Sequence, residues 1–212
     1  MPRHSFDFMA RYFDALAGLV FGRRLARAQW EAARHGLAAG APRVLFIGGG
    51  TGRVLPGLLR QELAGQVLYL EASAAMLRRA EQHLQQTAPE LRARVEFRHG
   101  TEADLAPAEQ FDAVLAFFLF DLFPPRQLAA LLARLQAHTH ARTRWVVADF
   151  APPRRGWQRG LQWLMYRFFG LTAGVPGRRL PDIAGALRGR GLRPRWQRAW
   201  ADGLVEASVW EA

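Results

Sequence analysis

A chain of 212 residues, half of them apolar, is long enough to bury a substantial core and has the size of one ordinary domain. The formal charge is +11, yet all 29 basic residues are arginine, lysine and asparagine are absent, and isoleucine occurs twice. A GC-rich coding sequence would impose that pattern, so the charge alone does not argue for a nucleic-acid partner. With no cysteine, the chain has no disulfide, no thiolate zinc site and no cysteine nucleophile.

The N-terminal segment from Ser5 to Gly36 carries Met9, Tyr12, Phe13, Leu16, Leu19 and Val20 on one helical face, with Ser5 or Asp7 as its cap. Asp7, Arg11 and Asp14 interrupt its apolar run, which argues against a secretory leader. The longest apolar run, Ala113 to Phe120, is too short to span a membrane, and the expected location is the cytoplasm.

From residue 43 strand-like and helix-like segments alternate: strand 43–47, helix 53–63, strand 66–70, helix 74–86, strands 94–98 and 112–118, helix 125–137 and strand 143–149. Such alternation predicts an α/β fold with a mostly parallel sheet covered by helices on both faces. Arg193 to Trp200, the turn Ala201-Asp202-Gly203 and Leu204 to Trp210 read as a closing antiparallel hairpin. The six histidines are scattered apart from His138 and His140, which point in different directions on the expected helix, so no metal site is predicted.

The most informative stretch is Val44 to Gly52, VLFIGGGTG. A buried strand runs into a turn whose glycines at 48, 49, 50 and 52 remove the side chains, so that a ligand's polar groups could approach backbone N–H donors. The next strand, Val67 to Leu70, ends at Glu71, where a carboxylate can accept both hydroxyls of a ribose. The dinucleotide fingerprint G-x-G-x-x-G fails, because its third glycine position is Arg53 or Leu55, and a chain without lysine has no P-loop.

What remains resembles the G-x-G-x-G loop of class I S-adenosylmethionine-dependent methyltransferases, and the resemblance covers most of the chain. It implies a Rossmann-like seven-stranded sheet with an antiparallel C-terminal strand, and S-adenosyl-L-methionine as cofactor. Gly48, Gly49, Gly50, Thr51 and Gly52 would hold its methionine part, Glu71 its ribose, with Ala72 and Met76 following. Thr101 or Glu102 would meet the adenine edge, and Phe117 would border the cofactor. Two positions depart from the family pattern. Thr101 stands directly after Gly100 where an acid is frequent, and Phe46 takes a place often held by an acid that orients the loop. The missing asparagine removes the third ligand of the magnesium site in catechol-type relatives.

The implied organisation is a single domain: a helical roof over 1–40, a cofactor-binding core over 41–150, a helical insertion over 151–192 and the hairpin over 193–212. The insertion carries Trp157, Leu161, Leu164, Met165 and Phe168 as one stripe, widened by Trp163, Tyr166 and Phe169, among Arg154, Arg155, Arg159 and Arg167. It reads as a core helix, a lid over an apolar substrate or a membrane-surface helix, the lid being preferred because it leaves from Asp149-Phe150.

Methyl transfer needs alignment, exclusion of water and, for a hydroxyl or acidic carbon, a general base. Asp121 is the first candidate and Tyr12 the second, with Asp149 and His4 behind them; Asp121 could equally cap the helix after Pro124-Pro125. The apolar run Phe117-Phe118-Leu119-Phe120 suits a small, quinone- or lipid-like acceptor better than a nucleobase. Alternatives are methylation of RNA or another polyanion through the C-terminal arginines (11 Arg against four acids over 151–212), aminopropyl transfer, and a non-catalytic binding protein.

Overall fold

The computed structural model describes residues 23–37, 43–152, 156 and 180–212. The expectations for Ser5 to Val20, and for the aromatic stripe from Trp157 to Phe169, lie outside the described residues.

The first described helix, α1 (Arg23–Gly36), leads to β1 (Arg43–Ile47), α2 (Leu55–Arg60), β2 (Gln66–Glu71), α3 (Ala74–Thr87) and β3 (Val95–His99). There follow β4 (Phe111–Phe117), α4 (Pro125–Gln136), β5 (Thr139–Phe150), α5 (Ile183–Arg188), β6 (Arg193–Trp200) and β7 (Val205–Glu211). The seven strands form one sheet in the order β3-β2-β1-β4-β5-β7-β6. The first five are parallel, β7 runs antiparallel to β5, and β6 runs antiparallel to β7. This is the expected seven-stranded Rossmann-like sheet.

Alternation along the strands builds a core on each face. Val44 and Phe46 of β1 join Val67, Tyr69, Leu115 and Phe117 under α1, α2 and α3. Leu45 and Ile47 join Leu68, Leu70 and Val114 under Leu128, Leu131, Leu132 and Leu135 of α4. On the first face, Phe97, Tyr69, Phe46 and Phe117 make an aromatic row across four strands, with neighbouring centroids 5.3, 5.1 and 5.5 Å apart. Phe46 therefore fills a core position in that row, 1% exposed, where an acid would be buried without water.

Several boundaries differ from the sequence reading for local reasons. The helix expected over 53–63 is confined to Leu55–Arg60, and Glu62 follows it in the left-handed region at φ 54°. A short 3-10 turn, Pro89–Arg94, precedes β3. The strand expected from 143 begins at Thr139, so His138 precedes β5 and His140 lies on it, neither of them on a helix. The polar run His140-Ala141-Arg142 hid this extension. Buried Thr143 ties it down, its hydroxyl donating to Phe111 O at 2.7 Å and accepting from His140 N at 2.9 Å. The 151–192 insertion ends in α5, capped by Asp182, whose carboxylate accepts from Gly185 N at 2.8 Å.

Sheet order reverses between β1 and β4, and in such sheets the crevice for ligands opens at the carboxyl ends of the two strands flanking the reversal. The glycine turn after β1 and the apolar run after β4 are thereby neighbours: a Cβ on Gly48 would stand 2.6 Å from Leu119. Leu132→Ala, which empties a fully buried position of α4, is expected to lower the free energy of unfolding by about 2–5 kcal/mol, read from urea denaturation.

Candidate active site

The glycine turn is shaped by backbone conformation and by what lies beneath it. Gly48, Gly50 and Gly52 have φ of 62°, 63° and 72°, a region closed to most side chains. At Gly49 the reason is contact: a Cβ there would lie 2.4 Å from the Tyr69 hydroxyl. The N–H groups of this turn are largely used within the protein. Gly48 N donates to Leu70 O at 2.8 Å, Gly50 N to Glu71 Oε2 at 3.0 Å, and Gly52 N to Gly49 O at 3.3 Å. The glycines thus serve close approach and backbone shape more than a display of free donors, a correction to the reading of the sequence alone.

Glu71 ends β2 at 7% exposure. Its Oε2 takes the Gly50 N–H and its Oε1 the Ser73 N–H at 2.8 Å, so one carboxylate links the glycine turn to the start of α3. Burial pushes its pKa above the usual carboxylate range, against the pull of those backbone donors. Each oxygen retains acceptor capacity for a ligand hydroxyl. Ser73, not singled out from the sequence, caps α3 by accepting from Met76 N at 3.3 Å. Met76 faces the turn: among the described residues, a Cβ built on Gly50 would meet only its sulfur, at 4.0 Å. The space that the described residues leave beside Gly50, bordered by Met76 and near the Glu71 carboxylate, is a cradle of the kind a nucleoside cofactor requires.

Around the cradle the other expected residues fall unevenly. Ala72 is exposed, and its carbonyl pairs with His99 Nε2 at 3.0 Å. Thr101 caps a short 3-10 turn, its hydroxyl accepting from Ala103 N at 3.3 Å and its own N–H donating to Asp104 Oδ2 at 2.8 Å. The Glu102 carboxylate takes Arg134 of α4 at 2.7 Å, which commits it to a salt bridge in this structure. Phe117 is 4% exposed and packs edge-on against Phe46, while Phe118 and Leu119 are only half-buried. Phe118 has φ 54°, unusual for a bulky side chain, and its ring lies 5.2 Å from that of Phe150. Tyr12 and His4 lie outside the described residues.

Asp121 does not cap α4: that helix begins after Pro124 with no side-chain cap. It stands beside Asp149 at the ends of β4 and β5. Asp149 is 3% exposed and accepts from Phe120 N at 2.9 Å, Asp121 N at 3.4 Å and Phe150 N at 3.0 Å. Although part of the Asp121 residue reaches the surface, its Oδ1 is enclosed without a hydrogen-bond partner. The two carboxyls are near enough to influence each other's ionisation. Burial pushes Asp121 up to about 6 and Asp149 well above the ordinary range, and the neighbouring Asp121 charge raises Asp149 further. Two such groups cannot both ionise cheaply, so the pair retains a proton that leaves in a shared titration. Among the described residues no cluster of three or more His, Asp or Glu side chains forms a candidate metal site.

Residues 44–142 match the family described as a methyltransferase domain. A search of curated proteins gave no match. Solved structures align over most of the chain. TnmH is 23% identical with a TM-score of 0.67, over 93% of this chain and 58% of its own. Magnesium protoporphyrin IX methyltransferase ChlM from Synechocystis PCC 6803, with bound SAH, is 20% identical with a TM-score of 0.63, over 88% of this chain and 80% of its own. NcsB1, an O-methyltransferase from neocarzinostatin biosynthesis in complex with S-adenosylmethionine and 2-hydroxy-5-methyl naphthoic acid, is 17% identical with a TM-score of 0.66, over 98% of this chain and 56% of its own. The chain thus spans little more than half the length of TnmH and NcsB1.

The carboxyl pair carries a stability signature. Because burial raises both folded-state pKa values, the pair's contribution is fully present below the unfolded aspartate value near 4; the Asp121 part is lost as pH rises through about 6, and the Asp149 part is lost at higher pH. Asp121→Asn is therefore expected to reduce the fall in unfolding free energy between pH 4 and pH 7. At pH 8 it should match or exceed wild type, by on the order of 2 kcal/mol, in denaturation series at fixed ionic strength.

Proposed function

We propose that this chain is an S-adenosyl-L-methionine-dependent methyltransferase acting on a small, largely apolar acceptor, by O- or C-methylation of an aromatic, quinone-like or lipid-like molecule. The observation that carries the reading is the juxtaposition, at the sheet's reversal point, of the glycine cradle with the apolar run Phe118-Leu119 and the Asp121–Asp149 pair. The methyltransferase-domain match over residues 44–142 supports the reaction class, and the bound naphthoic acid in NcsB1 supports an aromatic acceptor.

The cofactor supplies an electrophilic methyl group on a sulfonium. The chain's own part is to align and to dry the site. Glu71 would accept the ribose hydroxyls, the close backbone approach at Gly49 and Gly50 would admit the methionine part, and Met76 would cover one side. Phe118 and Leu119 offer an apolar wall for a flat acceptor and keep water from it. Asp121, with one enclosed oxygen free of partners, accepts the proton of an acceptor hydroxyl or acidic carbon as the methyl group arrives. A base that titrates near 6 is ionised at neutral pH yet basic enough to help.

Two of the C-terminal arginines on which the polyanion reading draws are already paired within the chain, Arg195 with Glu211 at 2.6 Å and Arg198 with Glu31 at 2.5 Å. No helix among the described residues is long and apolar enough to cross a membrane. A cytoplasmic enzyme, with at most peripheral membrane contact through the 151–192 insertion, fits this proposal.

Titration calorimetry with S-adenosylmethionine and S-adenosylhomocysteine is expected to show saturable binding, weakened at least tenfold by Glu71→Gln. Binding of neither compound up to about millimolar would remove the reading. In a screen of phenols, quinols and lipids, Asp121→Asn should lower kcat by about 100-fold or more with cofactor affinity retained, the size expected for loss of a general base. Cofactor binding without turnover of any acceptor would favour the non-catalytic alternative.

A further inference from the structure

Tyr69 is a buried tyrosine in the middle of β2, 0% exposed, with its hydroxyl under the glycine turn. The hydroxyl donates to Gly50 O at 3.1 Å. The other backbone polar group of the same residue, Gly50 N, donates to Glu71 at 3.0 Å. Two side chains spaced i, i+2 on one strand thus take both backbone polar groups of the residue at the centre of the turn. The tyrosine ring is itself immobilised, between Phe46 at 5.1 Å and Phe97 at 5.3 Å. It also sets the height of the loop, since a Cβ at Gly49 would fall 2.4, 2.5 and 2.6 Å from its Oη, Cζ and Cε2.

We propose that Tyr69 is a positioning residue for the cofactor, its hydroxyl tethering Gly50 so that the turn is held in its ligand-binding shape before the ligand arrives. The physical reason is entropic. Gly48 to Gly52 is four glycines in five residues, and glycine loses the most conformational freedom on being fixed. Without a tether that cost falls on the binding step; with Tyr69 and Glu71 in place, it is met during folding. Tyr69 lies in the core, and its action on the cofactor runs through the turn alone. The proposal rests on the cofactor reading above, and its test separates the two.

The test is Tyr69→Phe, which removes one oxygen and keeps the ring in its aromatic row. Amide hydrogen exchange of the ligand-free protein is expected to rise about tenfold or more over residues 48–52, with β4 and β5 as protected as in wild type. S-adenosylmethionine Kd and KM should rise about five- to twentyfold with kcat within about twofold, because the tether serves ground and transition states alike. Unchanged exchange over 48–52, or a general loss of protection with Kd unaltered, would assign Tyr69 to packing alone and overturn the proposal. If the wild type binds no S-adenosylmethionine, the function reading falls, and exchange over 48–52 decides the tether by itself. Should Tyr69→Phe fail to fold, replacing Tyr69 by 4-fluorophenylalanine keeps the ring and fills the hydroxyl's space with an atom that cannot donate. Equal loosening over 48–52 supports the tether, and wild-type protection there overturns it.

Discussion

The arrangement on which the rest depends is the double hold on Gly50, whose N–H goes to Glu71 and whose carbonyl goes to Tyr69. A turn of four glycines has no side chains with which to fix itself, so its shape must be imposed from the neighbouring strand. Strand β2 can do so because parallel register sets Phe46 beside Tyr69 and Ile47 beside Leu70, bringing the end of β2 under the turn that leaves β1. The same Glu71 carboxylate reaches Ser73 N, so the turn and the start of α3 are fixed relative to one another through a single buried acid. An acid buried this deeply is costly unless its lone pairs are used. Backbone donors use part of them, and a ribose would use the remainder.

The second centre, Asp121 with Asp149, solves a different problem. Asp149 collects three backbone N–H groups where the chain leaves β4 and where β5 ends, and so shapes the turn after β4. Asp121 contributes an enclosed oxygen with no partner. Two identical side chains are set apart by their environments: Asp149 has its oxygens occupied by backbone N–H groups, and Asp121 keeps one enclosed oxygen unused. The left-handed Phe118 just before them is the local strain that accompanies this turn, and its ring is braced against Phe150. Apolar side chains and a buried carboxyl thereby come from one short stretch.

Arginine usage shows how composition and function separate in this chain. Several of the 29 arginines sit in ion pairs among the described residues: Arg98 and Arg43 on Glu109, Arg134 on Glu102, Arg144 and Arg195 on Glu211, Arg198 on Glu31. Glu109 shows the most pronounced effect among these acids, its carboxyl held down to about 2 chiefly by its hydrogen bonds with Arg98. Such pairs join strands and helices across the surface.

The sequence by itself determined the sheet class, the turn and the acid after the second strand, because these depend on local patterns: apolar runs of strand length, glycine spacing, and an acid at a strand end. The closing hairpin was equally legible, with Asp202-Gly203 between two strand-like runs. The tertiary structure alone decided which partner each polar group took. Nothing in the spacing distinguishes Glu102, drawn to Arg134 on α4, from a residue free to meet a ligand. Asp121 looked as much like a helix cap as a base until β5 brought Asp149 beside it, 28 residues away in the chain. Tyr69 was read only as part of a buried strand. Its hydroxyl, a polar tip in an apolar run, was the one available signal that something polar lay above it. Hydrogen-bond partners far apart in sequence are set by strand order and register, and a single sequence carries no direct record of either.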